Sequence, residues 1–322
     1  RSSLRLNGGR TTSDFDAQTG ITENLNLITT LFLKENYLKL YQKDYVRFRY
    51  STDIVNGLRF NLGFEYAQRK QLFNHSNFYI YNLFGSDFTS NIPPVNNFNN
   101  NLVQNHTASL LSVDISYTPE YYYRFYSGVK YNTRSRFPTF SLKYDKGIKG
   151  LLGSDTDFDQ LEFTVRQGLG IRRIGSLRYS VTAGTFLNSD ELYFADYKHF
   201  GTNTPFIIGT SEGSTFRLIN YYDYSSSKSY FEAHARVEND RIILKRLPVL
   251  NKTLMREVLY VNYLSTTGNY PYFELGYGLN QIFLMFNAEI FVGFKGLNHE
   301  YTGIKIGIPF VGRNGNTITV GG

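Results

Sequence analysis

Residues 270–294 read YPYFELGYGLNQIFLMFNAEIFVGF, and Glu274 and Glu289 are the only charged residues among them. In the first half, apolar side chains occupy every second position: Phe273, Leu275, Tyr277 and Leu279. In the second half the alternation resumes with the opposite phase: Phe286, Ala288, Ile290, Val292 and Phe294. A period of two is typical of β-strands, because a helix would place apolar residues at spacings of three and four. The stretch therefore predicts two strands that turn at NQIF (280–283), with both glutamates on the polar face.

The same alternation recurs along the chain. It is strongest in seven other segments: 46–50, 58–66, 111–117, 161–166, 177–184, 231–238 and 304–310. Weaker copies occupy five more: 3–11, 24–34, 121–131, 139–145 and 257–264. Together these segments predict an all-β protein of about fourteen strands, with no amphipathic helix that competes with them.

The predicted strands have the features of a transmembrane β-barrel. They run for about nine residues or more, whereas strands of soluble sandwiches commonly have about five or six. Aromatic residues gather where strands end, as at Tyr41, 121–123, 221–224 and Tyr270, which is where membrane barrels carry aromatic girdles. A soluble β-sandwich also alternates and is the competing architecture. These features favour a transmembrane antiparallel β-barrel.

The composition excludes several classes of protein. The chain has 322 residues, with 27 Tyr, 27 Phe and neither Cys nor Trp. It lacks a run of about 18 uncharged apolar residues, so we expect no helix to span a bilayer. The net charge is +7, but the basic residues are dispersed, which argues against nucleic acid and fits phosphate-rich lipid headgroups. The absence of Cys suits an oxidising compartment.

Connection lengths suggest that the two ends of the barrel differ, since such barrels have short turns on one side and long loops on the other. Long connections fall at 73–106, 146–157 and 188–227. If the last strand ends at Phe310 on the periplasmic side, counting strands backwards puts 188–227 outside. The same count puts 73–106 on the periplasmic side. That segment is then either an unusually long periplasmic connection or contains further strands.

Charged side chains on the polar face form the largest candidate site. We expect them to line the lumen: Arg47, Arg49, Arg59, Glu65, Lys143, Glu162, Arg166, Arg178, Glu232, His234, Arg236, Glu238, Glu274, Glu289 and Lys305. Opposite charges on neighbouring strands would pair across the wall. The lining is either a hydrated, salt-bridged interior that stiffens the barrel, or a selectivity lining or seat for a plug. The mixture of signs argues against strong ion selectivity.

An acidic stretch gives a weak metal signal. Asp155, Asp157 and Asp159 alternate as at the start of a calcium loop. Gln160 and Arg166 occupy the positions where such a loop needs Gly and Glu. A solvated acidic loop is therefore the default interpretation, and Ca²⁺ is the alternative. No transition-metal site is expected, because the histidines are isolated and Cys is absent.

Two further motifs resemble functional signals. In FNHSN (73–77), His75 and Ser76 are adjacent and would point to opposite faces of a strand, which disfavours a lipid-hydrolysing site that needs both groups in contact. The last alternating strand resembles the closing-strand signal read by barrel-insertion machinery: Ile304, Ile306, Ile308 and Phe310. An ordinary last strand would show the same pattern.

Several ordered motifs resemble one outer-membrane family of Bacteroidota. They are NYLKLYQKDYVRFRYSTDIVNGLRFNLGFEYAQRKQLFN (36–74), FPTFSLKYDKGIKG (137–150), DTDFDQLEF (155–163), AGTFLN (183–188), FADYKHFGTN (194–203), YYDYSSSKSYFEAHARVEND (221–240), LKRLPVLNKT (244–253) and YFELGYGLNQIF (272–283). Members are named carboxypeptidase-regulatory-like-domain-containing proteins, and this region resembles their domain of unknown function. The resemblance covers most of residues 1–310.

The resemblance implies a barrel distantly similar to the BamA and TamA assembly barrels, which have sixteen strands. Members carry an immunoglobulin-like domain and earlier strands upstream. Residues 1–310 are thus expected to form a barrel completed to sixteen strands by an upstream hairpin, followed by a tail at 311–322. The family name implies no peptidase chemistry. BamA-type barrels carry an Arg-Gly-Phe/Tyr motif in a long inserted loop. FRLINYY (216–222) lacks that Gly, so assigning the role to Arg217 is weak.

Three hypotheses on function follow. The first is a non-catalytic β-barrel in the outer membrane of a Gram-negative bacterium, acting as a scaffold or as a component of an assembly or translocation machinery. The second is a passive or substrate-specific transport channel. The third, a hydrolase, is disfavoured. The expected partners are outer-membrane lipid, lipopolysaccharide and other outer-membrane or periplasmic proteins, with no nucleic acid and no cofactor.

Overall fold

The computed structural model describes residues 2–16, 21–74, 78–81, 87–93, 103–171, 175–208, 214–248 and 250–307. Within them lie one α-helix, α1 (Glu23–Leu33), and fifteen strands. The strands are β1 (Ser2–Asp14), β2 (Leu40–Val55), β3 (Leu58–Gln71), β4 (His106–Tyr117), β5 (Tyr122–Tyr126), β6 (Val129–Arg134), β7 (Thr139–Gly147), β8 (Asp157–Ile171), β9 (Gly175–Glu191), β10 (Ile207–Ile208), β11 (Tyr230–Asn239), β12 (Arg256–Thr266), β13 (Tyr272–Ile282), β14 (Phe286–Lys295) and β15 (Asn298–Gly307).

Thirteen of these strands form one sheet, in the order β1-β2-β3-β4-β7-β8-β9-β11-β12-β13-β14-β15-β10. Neighbours are antiparallel, except that the short β10 pairs in parallel with the end of β15. Strands β5 and β6 form a separate hairpin. The all-β prediction is confirmed. Within the described ranges β1 and β15 are not paired with each other, so the sheet is not closed into a barrel there.

The opening stretch forms the predicted hairpin. β13 and β14 pair in antiparallel register, with Glu274 opposite Gly293 and Glu289 opposite Gly278. The turn lies at 283–285, further along than NQIF. It is closed by the N–H of Leu284, which donates to the carbonyl of Gln281 at 3.0 Å. The strands are therefore longer than the alternation alone predicted.

Segment 24–34, predicted as a strand, belongs to the helix α1. The side chain of Thr22 caps this helix by accepting the N–H of Leu25 at 3.2 Å. Leu25 and Thr29, one turn apart, are its buried residues. Lys34, in the left-handed region at φ 58°, ends it. The prediction was wrong because such a short apolar segment fits a period of two as well as a helical one.

The strand count also changes the prediction for 73–106. Segment 121–131, predicted as a strand of the main sheet, belongs to the separate β5–β6 hairpin. Without it, the β3–β4 connection lies at the same end of the sheet as the other long connections. We call this the long-connection end; its long connections are 15–39, 72–105, 148–156 and 192–229, and the short turns 267–271 and 296–297 also lie there. The opposite end, here called the hairpin end, carries 56–57, 118–138, 240–255 and the turn 283–285.

The two faces of the main sheet are inverted relative to a soluble protein. On one, here called the polar face, charged side chains are buried: Glu65, His234, Arg236, Glu274, Glu289 and Lys305. On the opposite, apolar face, large hydrophobic side chains are each at least 40% exposed: Ile115, Leu142, Phe163, Phe231, Val261, Leu275, Ile290 and Ile304. No helix among the described residues is long and apolar enough to cross a membrane.

Candidate functional site

The charges predicted to line a lumen lie on one face of the sheet. Strand register explains this, since directly paired residues share a face. Arg47 is paired with Glu65, His234 with Asn262, and Asn262 with Glu274. The same parity carries the whole predicted set: Arg47, Arg49, Arg59, Glu65, Lys143, Glu162, Arg166, Arg178, Glu232, His234, Arg236, Glu238, Glu274, Glu289 and Lys305.

Part of this set forms close pairs. Glu65 contacts both Arg47 and Lys43, the latter at 3.1 Å. Other pairs join His234 with Glu232 at 2.7 Å and Arg236 with Glu238 at 2.7 Å. By contrast, Arg49, Arg166 and Arg178 lie exposed on the same face. The mixed-sign lining is therefore paired in places and open in others.

The polar face is covered in part by the connection between β9 and β11. We call residues 192–229 the inserted segment; the structure describes it except for 209–213. Its apolar side chains pack against strand residues in a core that includes Phe216, Ile219, Tyr230 and Tyr272. Its backbone pairs with itself at two bridges, 198 with 226 and 202 with 216. The segment is thus a folded unit that packs on the polar face of the main sheet.

Glu274 of β13 holds the centre of the inserted segment. Its carboxylate accepts the backbone N–H groups of Arg217 and Leu218, each at 3.0 Å. It also accepts the side-chain amide of Asn262 and the hydroxyl of Tyr272, both at 2.9 Å. Glu274 is fully buried. A buried carboxylate needs such donors. Two of the four are main-chain groups of the inserted segment and two are side chains of the sheet, so Glu274 ties the segment to the sheet.

The side chain of Arg217 is buried beside a second carboxylate. It is 2% exposed, and its Nε lies 3.7 Å from Glu289 Oε2. Nη1 donates to Thr215 Oγ1 at 2.8 Å, and the guanidinium carbon lies 6.0 Å from the centre of the Phe291 ring. Tyr260 donates its hydroxyl to Glu289 at 2.7 Å. Arg217 therefore joins the segment to both β13 and β14 across a short span.

The long-connection end of the segment has its own attachments. Arg69 of β3 forms a two-pronged pair with Asp196, at 2.6 and 3.0 Å, with both side chains 5% exposed. Lys198 pairs with Glu162 of β8 at 2.6 Å. Planar Arg–carboxylate pairs fix orientation as well as distance. The segment is therefore fastened to strands on both halves of the sheet.

His199 stabilises the segment internally. Its ring nitrogens lie 2.8 Å from the carbonyl of Phe194 and 2.7 Å from the hydroxyl of Ser225. Burial lowers the pKa of His199 to about 4, and the neighbouring Lys198 also acts to lower it. The imidazole is thus neutral at pH 7, where one nitrogen donates and the other accepts.

A cavity of about 630 Å³ remains between the polar face and the inserted segment. Side chains of both signs line it: Lys43, Arg47, Glu65, Glu162, Asp196 and Lys198. Most of these charges already pair with one another. Apolar and aromatic side chains also line the cavity, among them Phe15, Tyr41 and Phe158, so it combines paired charges with apolar surface.

The family of this domain follows from a comparison of sequences. Residues 1–279 match the model described as "Family of unknown function (DUF5686) C-terminal domain". The chain belongs to this family. The match covers β1 through most of β13, including the inserted segment and Glu274. A comparison with curated proteins finds no match.

In this DUF5686 domain the calcium prediction gains no support. Asp155 accepts the N–H of Thr107 at 2.8 Å, and Asp157 accepts the side-chain amide of Asn188 at 2.9 Å. Asp159 instead pairs with Lys146. The three carboxylates therefore serve different partners and do not converge. Among the described residues no group of three or more His, Cys, Asp or Glu could hold a metal ion.

Several predictions for the domain fall outside the described residues. They concern His75 and Ser76, the end of the closing strand at Ile308 and Phe310, and the tail at 311–322. Ile304 and Ile306, the other members of the predicted closing strand, lie on β15 and are exposed on its apolar face. The predicted domain boundary at 310 also lies outside the described ranges.

The sequence predicted the site residues on the polar face of the sheet better than those of the inserted segment. It indicates Arg217 only weakly, because FRLINYY lacks the expected Gly, and it does not indicate Arg69, Asp196 or Lys198 as site residues. FADYKHFGTN carries Asp196 and Lys198 in a connection that alternation cannot place. Their partners Arg69 and Glu162 are 127 and 36 residues away in sequence, so no local pattern could reveal these contacts.

Proposed function

We propose that the sheet of this DUF5686 domain closes into a transmembrane β-barrel in a Bacteroidota outer membrane. It acts there without catalysis, as a scaffold or as a component of an assembly or translocation machinery with BamA-like architecture. The observation that carries the proposal is the inverted sheet, with charges buried on one face and large apolar side chains exposed on the other.

The physical argument concerns the solvent each face requires. Exposed apolar surface in water is unfavourable by roughly 25 cal/mol per Å², and soluble monomers rarely expose patches beyond a few hundred Å². The apolar face runs across strands from β4 to β15. Lipid removes that penalty, while the polar face keeps contact with water or with its own ion pairs. Membrane barrels alternate in this way.

The inserted segment supports a scaffold or machinery over a simple pore. It occupies the polar face and is held by Glu274, Glu289, Arg69 and Glu162. FRLINYY, which resembles the BamA-type inserted-loop motif only weakly because the Gly of that motif is missing, places Arg217 within this segment. A fixed segment in the lumen suits a barrel that positions partners.

The membrane proposal is tested by the state of the purified protein. We expect residues 1–322 to require detergent to stay in solution, since the apolar face would otherwise lie in water. A monomeric, water-soluble protein without detergent would falsify the proposal.

A transport channel is the second candidate, and the charged cavity of about 630 Å³ favours it. Planar-bilayer recordings discriminate between the two. A barrel occluded by the inserted segment should be silent, and Glu274→Ala, which removes the acceptor of two backbone N–H groups, should produce openings. Stable open conductance in the unmodified protein supports the channel. Glu191→Ala, at an exposed carboxylate, is the matched control.

The proposed partners are outer-membrane lipid, lipopolysaccharide and other outer-membrane or periplasmic proteins. Purification from native membrane, followed by identification of what remains bound, tests this. Proteins that co-purify with the unmodified barrel and are lost with the Glu274→Ala variant would support a machinery centred on the inserted segment. Recovery of lipid alone counts against it.

A further inference from the structure

The β5–β6 hairpin is an exposed structure at the hairpin end. All five residues of β5 are exposed, and the hairpin lies outside the main sheet. Six aromatic side chains of the 118–138 connection are between 43% and 75% exposed: Tyr122, Tyr123, Phe125, Tyr126, Tyr131 and Phe137. A two-stranded hairpin is marginal in water by itself. Tyrosine, with an apolar ring and a polar tip, is enriched where membrane meets water.

The hairpin is held firmly to the main sheet. Asn56, in the β2–β3 turn, donates to the carbonyl of Tyr121 and accepts from Lys130, both at 2.7 Å. Thr118 donates its N–H to the carbonyl of Gly57 at 2.9 Å. An added Cβ at Gly57, which has φ +84°, would overlap that Thr118 carbonyl. The hairpin therefore has a defined position beside the strand ends.

A second connection at the same end has the same chemistry. Residues 240–255 expose the apolar side chains of Ile243, Leu247 and Leu254. Exposed basic side chains stand among them: Arg241, Arg246 and Lys252. The fold of this connection is fixed by Glu257, whose carboxylate accepts the N–H groups of residues 243 and 245 at 2.6 and 2.8 Å. Two separate connections thus pair exposed apolar groups with cations.

The charge of the two ends differs. Connections 118–138 and 240–255 together contain eight Lys and Arg and two acidic residues. The four long connections of the opposite end contain six Lys and Arg and eight acidic residues. Basic groups beside aromatic and aliphatic ones match a surface of phosphate headgroups over acyl chains. A binding surface for anions in water alone would need the cations but not the exposed aromatic and aliphatic side chains beside them.

We infer that connections 118–138 and 240–255 form a rim that binds an anionic lipid surface. Arg124, Arg136, Arg241, Arg246 and Lys252 pair with headgroup phosphates, and the neighbouring aromatic and aliphatic side chains enter the interface. The inference rests on the proposed membrane-spanning sheet. It adds the lipid class and the end of the barrel that selects it.

The chain contains no Trp, so single tryptophans report each part separately. Phe163→Trp, on the apolar face, reports membrane insertion, and Tyr126→Trp, at the hairpin tip, reports the rim. Both variants are reconstituted in vesicles of phosphatidylcholine, with or without about one third phosphatidylglycerol, and quenched by brominated forms of either lipid. We expect Phe163→Trp to be quenched in all vesicles. Tyr126→Trp should be quenched more strongly by the brominated anionic lipid.

Charge variants complete the test. Arg124→Gln/Arg136→Gln should reduce the anionic preference at Tyr126→Trp by roughly fivefold per charge, the factor expected for one cation near an anionic surface. Lys149→Gln/Lys228→Gln removes the same number of charges from the long-connection end and should leave the anionic preference at Tyr126→Trp unchanged.

The outcomes separate the two proposals. If Phe163→Trp is quenched while Tyr126→Trp is not quenched by either lipid, or is quenched equally by both, the rim is refuted and the spanning sheet stands. Failure at Phe163→Trp refutes the spanning sheet itself. Protection of Tyr126→Trp by an acidic protein alone would also overturn the lipid assignment.

Discussion

Glu274 and Arg217 are joined through the main chain and not through their opposite charges. Both carboxylate oxygens of Glu274 lie 3.0 Å from the backbone nitrogen of Arg217, while the guanidinium of Arg217 turns towards Glu289. One carboxylate fixes the backbone of the inserted segment and another faces its cation. The two functions can therefore be separated by mutation.

Glu274→Gln should loosen the inserted segment. The amide keeps one carbonyl oxygen and replaces the other with an NH2 group, which donates, so some of the buried donors that Glu274 accepts lose their acceptor. We expect a loss of about 1–3 kcal/mol in the free energy of unfolding. Hydrogen exchange at 214–220 should increase. Glu191→Gln, at a half-exposed carboxylate, is the control, and equal exchange in both variants would contradict the role of Glu274.

Arg217 and Glu289 should be energetically coupled. Both side chains are almost fully buried, and removing one partner leaves the other charge without compensation. A double-mutant cycle with Arg217→Ala and Glu289→Gln should give a coupling of about 0.5–3 kcal/mol. The same cycle on the exposed pair Arg10 and Asp44 should show no measurable coupling. If the coupling energy of Arg217 and Glu289 were as small as that of the exposed pair, their interaction would be ruled out.

Gly276→Ala should destabilise the region around Arg217 and Glu289 from within the polar face. An added Cβ there would overlap the ring of Phe291, which packs beside Tyr260 and Arg217. Overpacking of this kind is unfavourable by about 1–3 kcal/mol. Gly170, whose added Cβ would meet nothing within 4 Å, provides the control Gly170→Ala. Urea unfolding of the two variants gives the comparison, and equal stability would mean that Phe291 moves freely.

Acid should weaken the inserted segment through His199. Its pKa is lowered to about 4 by burial, whereas an unfolded histidine titrates near about 6.5. Between these values the unfolded state binds more protons, so stability is complete above about pH 6.5 and falls as the pH drops towards 4. The loss approaches at most about 3 kcal/mol.

His199→Gln should flatten this part of the stability profile, because glutamine does not titrate. His299→Gln, at an exposed histidine, should leave the profile as it was. Unfolding midpoints measured from pH 7 to pH 4 give the slopes. An unchanged slope in His199→Gln would show that the histidine does not titrate on unfolding.

Single cysteines can map the two faces, since the chain has none of its own. In lipid, Arg178→Cys on the polar face should react with a membrane-impermeant maleimide, and Leu275→Cys on the apolar face should not. Leu297→Cys, at a fully exposed turn, should react in either case. Rapid labelling of Leu275→Cys in reconstituted vesicles would place the apolar face in water.

The strands were predictable because alternation is a local property. Side chains on an extended chain change face at every residue, so the sequence alone separates Phe273 from Glu274. For the same reason the charged positions from Arg47 to Lys305 could be assigned to one face by their parity along each strand. The helix α1 could not be told from a strand, because Leu25 and Thr29 are buried by contacts from elsewhere.

The sequence by itself determined the strands, their two faces and the position of the charges. Only the tertiary structure decided what the charges meet. Glu274 and Leu218 are 56 residues apart, and Arg69 and Asp196 are 127 apart. Such contacts depend on how a long connection folds back over the sheet, which no period in the chain encodes. The period places each side chain relative to its neighbours, and only packing places the inserted segment relative to the wall.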